Sequence, residues 1–401
     1  MNKKDILFLC QFFYPENVSS ATLPFDTAKY LANSGFSVDA LVGYPKEYSD
    51  IDNVPKKETK DGVNIKRIGY VQLDRNKKLS RIINYLSFTI SAMCHLFKLR
   101  KYKYVVVYSN PPILPIVPIF ANMLFKTKIV FVAYDIYPEV AYASNSIRKG
   151  NVIDRGMKWI NKLLYKRVYK VVSLTDEMKE FILENRSEIT EDRIVTIANW
   201  AHEKKVEPKD EYYENFGYKP GQFIVSYFGN MGICQEMDTL INTVEQLKNN
   251  EDIRFLFIGH GKKQPGIRKR FEDQNLKNVQ MLDFMTGDKF GQAVAISSCC
   301  VVSLEKGLKG MCAPSKFYSY LQGGKAILGI VEKDSYLEKE INKEKLGKVI
   351  NIMEIDKLVD CILNLSNSKR ELQVYEKNSL NLYLNKYTFE KGMEKYYKIF
   401  K

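Results

Sequence analysis

Short β-branched runs alternate with amphipathic stretches along nearly the whole chain, and this rhythm constrains the fold more than any other feature. In the first half, Ile6 to Cys10, Val38 to Val42, Tyr104 to Tyr108, Ile129 to Ala133 and Val168 to Leu174 read as strands, with helices over 22–35, 82–97, 120–125 and 151–167 between them. Strands that are apolar at successive positions are buried on both faces, which calls for a parallel sheet with helices on each side. The second half repeats the pattern, with strands Phe223 to Phe228, Arg254 to Ile258, Val279 to Leu282, Cys300 to Leu304 and Ala326 to Ile330, and helices over 236–249 and 266–274. A length of 401 residues exceeds what one core usually organises, so the expectation is two α/β doubly wound domains. Ile197 to Pro208 reads as the linker and puts the boundary near residue 200. Two such domains facing each other would bind ligands in a cleft at the carboxyl ends of their strands.

The most informative local segment runs from Met311 to Leu328, where the strand ending at Leu304 enters a Gly/Lys loop, a helix opens near Pro314-Ser315 and a second strand follows. Unpaired N–H groups and the positive end of a helix suit an anion such as a diphosphate, and Lys309 and Lys316 would add point charges. Tyr318, Leu321 and Ile327 also read as packing residues. Two further glycine loops follow strands, Gly229-Asn230-Met231-Gly232 after Phe228 and Gly259-His260-Gly261-Lys262-Lys263 after Ile258. Glycine there permits close backbone approach, though it is also a common turn residue.

Seven cysteines without metal-like spacing, several of them in apolar runs, fit a reducing cytoplasmic compartment. The apolar run Ile6 to Cys10 is too brief for the core of a signal peptide and reads as a first buried strand. Charge is uneven: residues 1–200 hold 30 Lys and Arg against 20 Asp and Glu, and residues 51–150 alone hold 17 against 6. A basic half implies an anionic partner surface. Between Arg75-Asn76-Lys77-Lys78 and Lys98-Leu99-Arg100-Lys101 lies the apolar run Ile82 to Phe97, too polar for a transmembrane span. It reads either as an interfacial helix on anionic lipid or as a buried domain helix with solvated ends. Neither reading is that of a nucleic-acid groove reader. The run Pro111 to Phe120 carries four prolines and reads as a loop leading into a helix.

These motifs, in their order and spacing from about residue 5 to residue 400, resemble bacterial GT-B glycosyltransferases of the large retaining family four. The three glycine and lysine segments of the second half, with Gln235 and Gly323-Gly324-Lys325, are similar to that family's nucleotide-sugar half. Phe12-Phe13-Tyr14-Pro15-Glu16-Asn17, Ser109-Asn110-Pro111-Pro112, Tyr134 to Glu139, Ser173 to Met178 and Ile197 to Trp200 are similar to its acceptor half. The nearest subgroup is the fucosamine-transferase-like one of surface polysaccharide assembly.

The resemblance implies the GT-B fold, two Rossmann-like domains facing a central cleft, with an acceptor domain over 1–200, a nucleotide-sugar domain over 201–385 and a terminal helix over 386–401 crossing back to the first. It implies transfer, with retention, of a sugar from a nucleoside diphosphate, UDP foremost, to a polyprenyl-linked saccharide on the cytoplasmic membrane face. No metal or other cofactor is expected, so cations and N–H dipoles must neutralise the leaving diphosphate. The donor site carried over comprises Gly229, Asn230, Met231, Gly232, Gln235, Gly259, Gly261, Lys309, Pro314, Ser315, Lys316 and Tyr318. Tyr14, Glu16, Ser19, Asn110 and Tyr137 fall to the acceptor side.

Two departures affect the chemistry. The family's two glutamates, eight positions apart, correspond to Met311 and Ser319, and its frequent acceptor-side histidine corresponds to Tyr134. Asp135 and Glu139 are therefore the candidate catalytic carboxylates, with Lys316 as the charge on the leaving group. Their bland alternatives are a helix cap for Asp135 and an ion pair for Glu139. Glu305 reads either as a cleft residue or as the partner of a surface lysine. Two functions of other classes remain open, a nucleotide-sugar epimerase of the same fold and a non-catalytic protein binding anionic lipid.

Overall fold

The structure, a computed structural model, describes residues 3–45, 53–74, 77–143, 146–201 and 205–401. Arg75 and Asn76 of the basic flank, and His202, lie outside the described residues. The chain divides into two compact units, one of residues 1–198, 310–313 and 392–401, the other of residues 199–309 and 314–391.

The first unit holds an eight-stranded sheet of β1 (Lys4–Cys10), β2 (Val38–Gly43), β3 (Lys57–Lys60), β4 (Val63–Ile68), β5 (Tyr102–Tyr108), β6 (Lys128–Ala133), β7 (Lys170–Ser173) and β8 (Ile194–Thr196), in the order β3-β4-β2-β1-β5-β6-β7-β8. All pairs are parallel except the β3–β4 hairpin at the edge. Chain order runs outward in one direction from β1 and resumes at β5 on its other side, so the topological switch point lies between β1 and β5. In doubly wound sheets that is where the carboxyl-end loops diverge and leave a crevice.

The second unit holds six parallel strands, β9 (Phe223–Asn230), β10 (Ile253–His260), β11 (Val279–Leu282), β12 (Cys299–Ser303), β13 (Ala326–Ile330) and β14 (Gly347–Ile350), in the order β11-β10-β9-β12-β13-β14. Its switch point lies between β9 and β12. Residues Phe223 to Phe228 are all buried, as a central parallel strand requires. Ser226 is the one polar side chain in that run, and it is satisfied by Ser297 at 2.6 Å.

Helix 78–93 is buried along one face and exposed along the other. Asn84, Phe88 and Ala92, one turn apart, are buried, while Leu79, Leu86 and Ile90 are 69%, 47% and 64% exposed. The turn at 96–101 continues the outer stripe with Phe97, 68% exposed and packed on Phe125 at 5.9 Å between ring centres. Among the described residues no helix is long and apolar enough to cross a membrane.

Candidate functional site

In the second unit three loops leave the carboxyl ends of neighbouring strands and are tied together by one lysine. Lys263, after β10, donates to the Gln235 carbonyl in the loop after β9 at 2.7 Å and to the Glu305 carboxylate in the loop after β12 at 3.1 Å. The Glu305 N–H adds a bond to the Cys234 carbonyl at 2.9 Å. Glu305 thus serves as a brace, paired with Lys263 and not with its neighbour Lys306.

Lys316 opens a seven-residue helix, Lys316–Gln322, beside the end of β9. Its ammonium lies 4.2 Å from the centre of the Phe290 ring, and its Cγ is 3.3 Å from where a side chain on Gly229 would begin. Gly229 has φ +123°, a conformation that glycine adopts freely, so both backbone and lysine require it there. The helix is held by Tyr320, whose hydroxyl accepts the Phe228 N–H and donates to the Phe228 carbonyl, each at 3.0 Å. His260 stacks on Phe284 at 5.2 Å, and burial, helped by the Lys316 charge, holds its imidazole below the usual histidine range. An anion arriving here would meet the half-buried Lys316 ammonium and a histidine whose protonation burial disfavours.

Several expected donor contacts are reassigned by packing. Tyr318 is 1% exposed, with its ring against Phe317 and Tyr387, and belongs to the core. Met231 is fully buried, its N–H goes to the His260 carbonyl at 2.6 Å and its carbonyl takes the Lys263 N–H at 2.9 Å, so it has nothing left to offer a ligand. Gly259 is glycine because a Cβ would stand 1.8 Å from the Gly229 carbonyl, and Gly261 because one would stand 2.5 Å from Asn230 Oδ1. Loop packed on loop explains both without a ligand. The Gly232 N–H is bonded to Gln235 Oε1 at 3.1 Å.

The amide N–H groups of Phe317 and Tyr318 turn back to the carbonyls of Pro314 and Ser315, each at 3.3 Å. Seven residues make a weak dipole, so an anion here would be held by Lys316 more than by the helix end. Lys309 is exposed, as is Asn230.

In the first unit the expected residues gather beyond the carboxyl ends of β1, β5 and β6. The Ser109 hydroxyl accepts the N–H groups of Tyr134 and Asp135, each at 3.1 Å, and Cys312 forms an antiparallel bridge with Asp135 while Met311 takes the Ile136 N–H at 2.8 Å. These backbone ties fix where the Asp135 side chain emerges. Its carboxylate has no hydrogen-bond partner among the described residues, and burial pushes it up to about 6. Unpaired buried acceptors cluster at the same strand ends, Gln11 Oε1, Tyr108 Oη and Asn110 Oδ1.

Glu139 corrects the expectation of a second free carboxylate. It pairs with Arg186 at 2.7 Å, both side chains largely buried, and Arg186 also holds the Tyr137 carbonyl at 3.2 Å. Glu16 is 4% exposed in the loop after β1. Tyr14 stacks on Phe25 at 5.0 Å, and its carbonyl accepts from Arg67 at 3.0 Å. Ser19 is the first residue of helix Ser19–Asn33. Arg186, Lys263 and Tyr320 hold the candidate residues in place, a role the sequence did not disclose because each acts through a partner far away in sequence. Among the described residues no three His, Cys, Asp or Glu side chains gather as a metal site.

No protein-family model matches the chain. Over 223 residues it is 25% identical to a probable glycosyltransferase, WbjE, of Pseudomonas aeruginosa, and the match covers 55% of each protein, so it spans about half the length of that curated relative. Among solved structures, Anabaena Alr3699/HepE in complex with UDP superposes with a TM-score of 0.71 at 13% identity, covering 98% of each chain. WaaG, a glycosyltransferase involved in lipopolysaccharide biosynthesis, superposes with a TM-score of 0.73 at 12% identity, covering 98% of this chain and 99% of its own. The chain therefore has the fold of the GT-B glycosyltransferases.

Proposed function

We propose that the protein is a retaining glycosyltransferase that moves a sugar from a nucleoside diphosphate, UDP foremost, to a polyprenyl-linked saccharide in surface polysaccharide assembly. The observation that carries this reading is Lys316, held by Tyr320 at the carboxyl end of β9 beside Gly229, at the switch point of a GT-B sheet. Its ammonium neutralises the leaving diphosphate, and no metal takes part. Asp135 accepts the hydrogen bond of the acceptor hydroxyl, since its half-buried carboxylate is unengaged where that of Glu139 is spent on Arg186. The outer stripe of helix 78–93, flanked by Lys77, Lys98 and Lys101, supports docking on an anionic membrane surface, where a lipid-linked acceptor would be met.

A thermal-shift series with UDP, GDP and ADP tests the donor site. UDP is expected to raise the melting temperature, and Lys316→Ala to weaken its affinity about 10–100-fold, the loss of one charge-assisted contact. Absence of any response to all three nucleotides in the parent would remove the transferase reading and favour a protein that only binds lipid.

A further inference from the structure

A second site lies in the first unit, at the opposite end of the sheet from Asp135. A cavity of about 430 Å³ opens over the amino-terminal halves of β1, β2 and β4, under the turn at 96–101, with Leu7, Leu41 and Leu99 along its floor. Lys57, Lys66 and Lys98 line it. Two carboxylates also line it, and both are already engaged: Asp39 takes bonds from Lys4 at 2.7 Å, Tyr102 at 2.6 Å and Asn64 at 3.0 Å, and Glu58 pairs with Arg67 at 2.5 Å. Among the described residues none of Lys57, Lys66 and Lys98 has a carboxylate within ion-pair distance.

The chemistry around Lys66 shows how far the imbalance goes. Its ammonium lies 2.9 Å from His95 Nε2, and His95 Nδ1 lies 3.0 Å from the Ser91 carbonyl. That carbonyl can only accept, so the ring proton is on Nδ1 and Nε2 accepts a hydrogen bond from the Lys66 ammonium. The neutral ring gives Lys66 a hydrogen bond but no counter-charge. Contact with Lys98, then partial burial and the charges of Lys98, Lys57 and Lys56, push the Lys66 ammonium down to about 8. Crowded cations around a cavity without a free carboxylate are relieved by one thing, an anion that fits among them.

We infer that this cavity binds a phosphate group, with Lys57, Lys66 and Lys98 as its donors. The room beyond the three ammonium groups, floored by leucines, accommodates a small headgroup or polyol attached to that phosphate. Lys98 follows Phe97, the exposed end of the apolar stripe, so the phosphate can come from a lipid headgroup at a membrane surface or from a free phosphorylated solute. The site is separate from Asp135, which lies beyond the opposite strand ends of the same sheet.

The test compares the parent with Lys66→Met/Lys98→Met and with the exposed single variant Lys98→Glu, all with UDP saturating so that the donor site is filled. One arm titrates inorganic phosphate and follows melting; the other measures co-sedimentation with phosphatidic acid vesicles against phosphatidylcholine vesicles. A phosphate-induced rise in the parent, at least tenfold weaker in both variants, supports the site with a free solute as its ligand. A tenfold loss of phosphatidic acid capture without a response to phosphate supports it with a headgroup as its ligand. A control variant, Lys162→Met/Lys166→Met, removes two exposed charges of the same unit outside the cavity and outside the basic flank of helix 78–93. If it weakens binding as much as the cavity variants, or if the cavity variants bind both probes like the parent, the inference is overturned.

Discussion

The hydroxyl of Tyr320 stands 3.0 Å from both the amide nitrogen and the carbonyl oxygen of Phe228, the residue before Gly229. One side chain thus replaces a ladder partner for β9 and fixes the helix that carries Lys316. Tyr320→Phe keeps the ring and its packing on Phe228 but strands a buried N–H and a buried carbonyl. The expected cost is about 1–3 kcal/mol in denaturant unfolding. UDP affinity should fall severalfold as well, because Lys316 loses its anchor. A variant as stable as the parent would mean that the hydroxyl does not hold the helix.

Glu139→Ala separates a structural from a chemical role for that carboxylate. It leaves Arg186, 11% exposed at its side chain, without a counter-charge, at an expected cost of about 1–3 kcal/mol after allowing for partial solvation. Replacing both partners, Glu139→Met/Arg186→Met, should recover most of that stability. Transfer activity is expected to return with stability in the double variant. If activity stays lost in a stable double variant, Glu139 takes part in the reaction.

How far the sequence disclosed this arrangement depended on whether each feature is local. β9 was legible because a central parallel strand is apolar at every position, and Lys316 because a lysine at a strand-loop-helix junction announces its own chemistry. β3, Lys57-Glu58-Thr59-Lys60, was not, since an antiparallel edge strand with both faces near solvent is polar throughout and looks like a loop. β8 and β14 were too short to show a period. Tyr318 carried both a donor-site and a packing reading, because a seven-residue helix between two strands is buried on most of its circumference and spacing does not reveal which side faces a ligand; the structure favours packing. The engagement of Glu139 by a residue 47 positions away, and the approach of Lys66 to His95 across 29 positions, are products of the tertiary fold and left no trace in any short window.

Membrane docking is tested on the outer stripe alone. Leu86→Ser with Ile90→Ser removes two exposed side chains, so stability should move by less than about 1 kcal/mol. Burying each of these side chains in an interface contributes about 1.5–3 kcal/mol, and capture by anionic vesicles should fall at least tenfold. Unchanged capture would mean that the stripe faces something other than lipid.

Asp135 yields the sharpest prediction, because its pH dependence has a fixed sign. Burial raises the carboxyl from 3.8 to about 6, so the folded chain holds this proton more tightly than the unfolded chain does. Stability from this group is fully present below about pH 4 and is lost as pH rises through about 6, after which the cost is constant. Asparagine mimics the protonated acid. Asp135→Asn should therefore be more stable than the parent at pH 7.5 by about 2–3 kcal/mol, with the difference vanishing near pH 4. The same substitution removes the acceptor proposed for the reacting hydroxyl, and turnover should fall about 10²–10⁴-fold. Gain of stability together with loss of turnover is what a carboxylate held unpaired for chemistry produces. A variant that gains neither stability at pH 7.5 nor loses turnover would return Asp135 to the ordinary residues of the loop after β6.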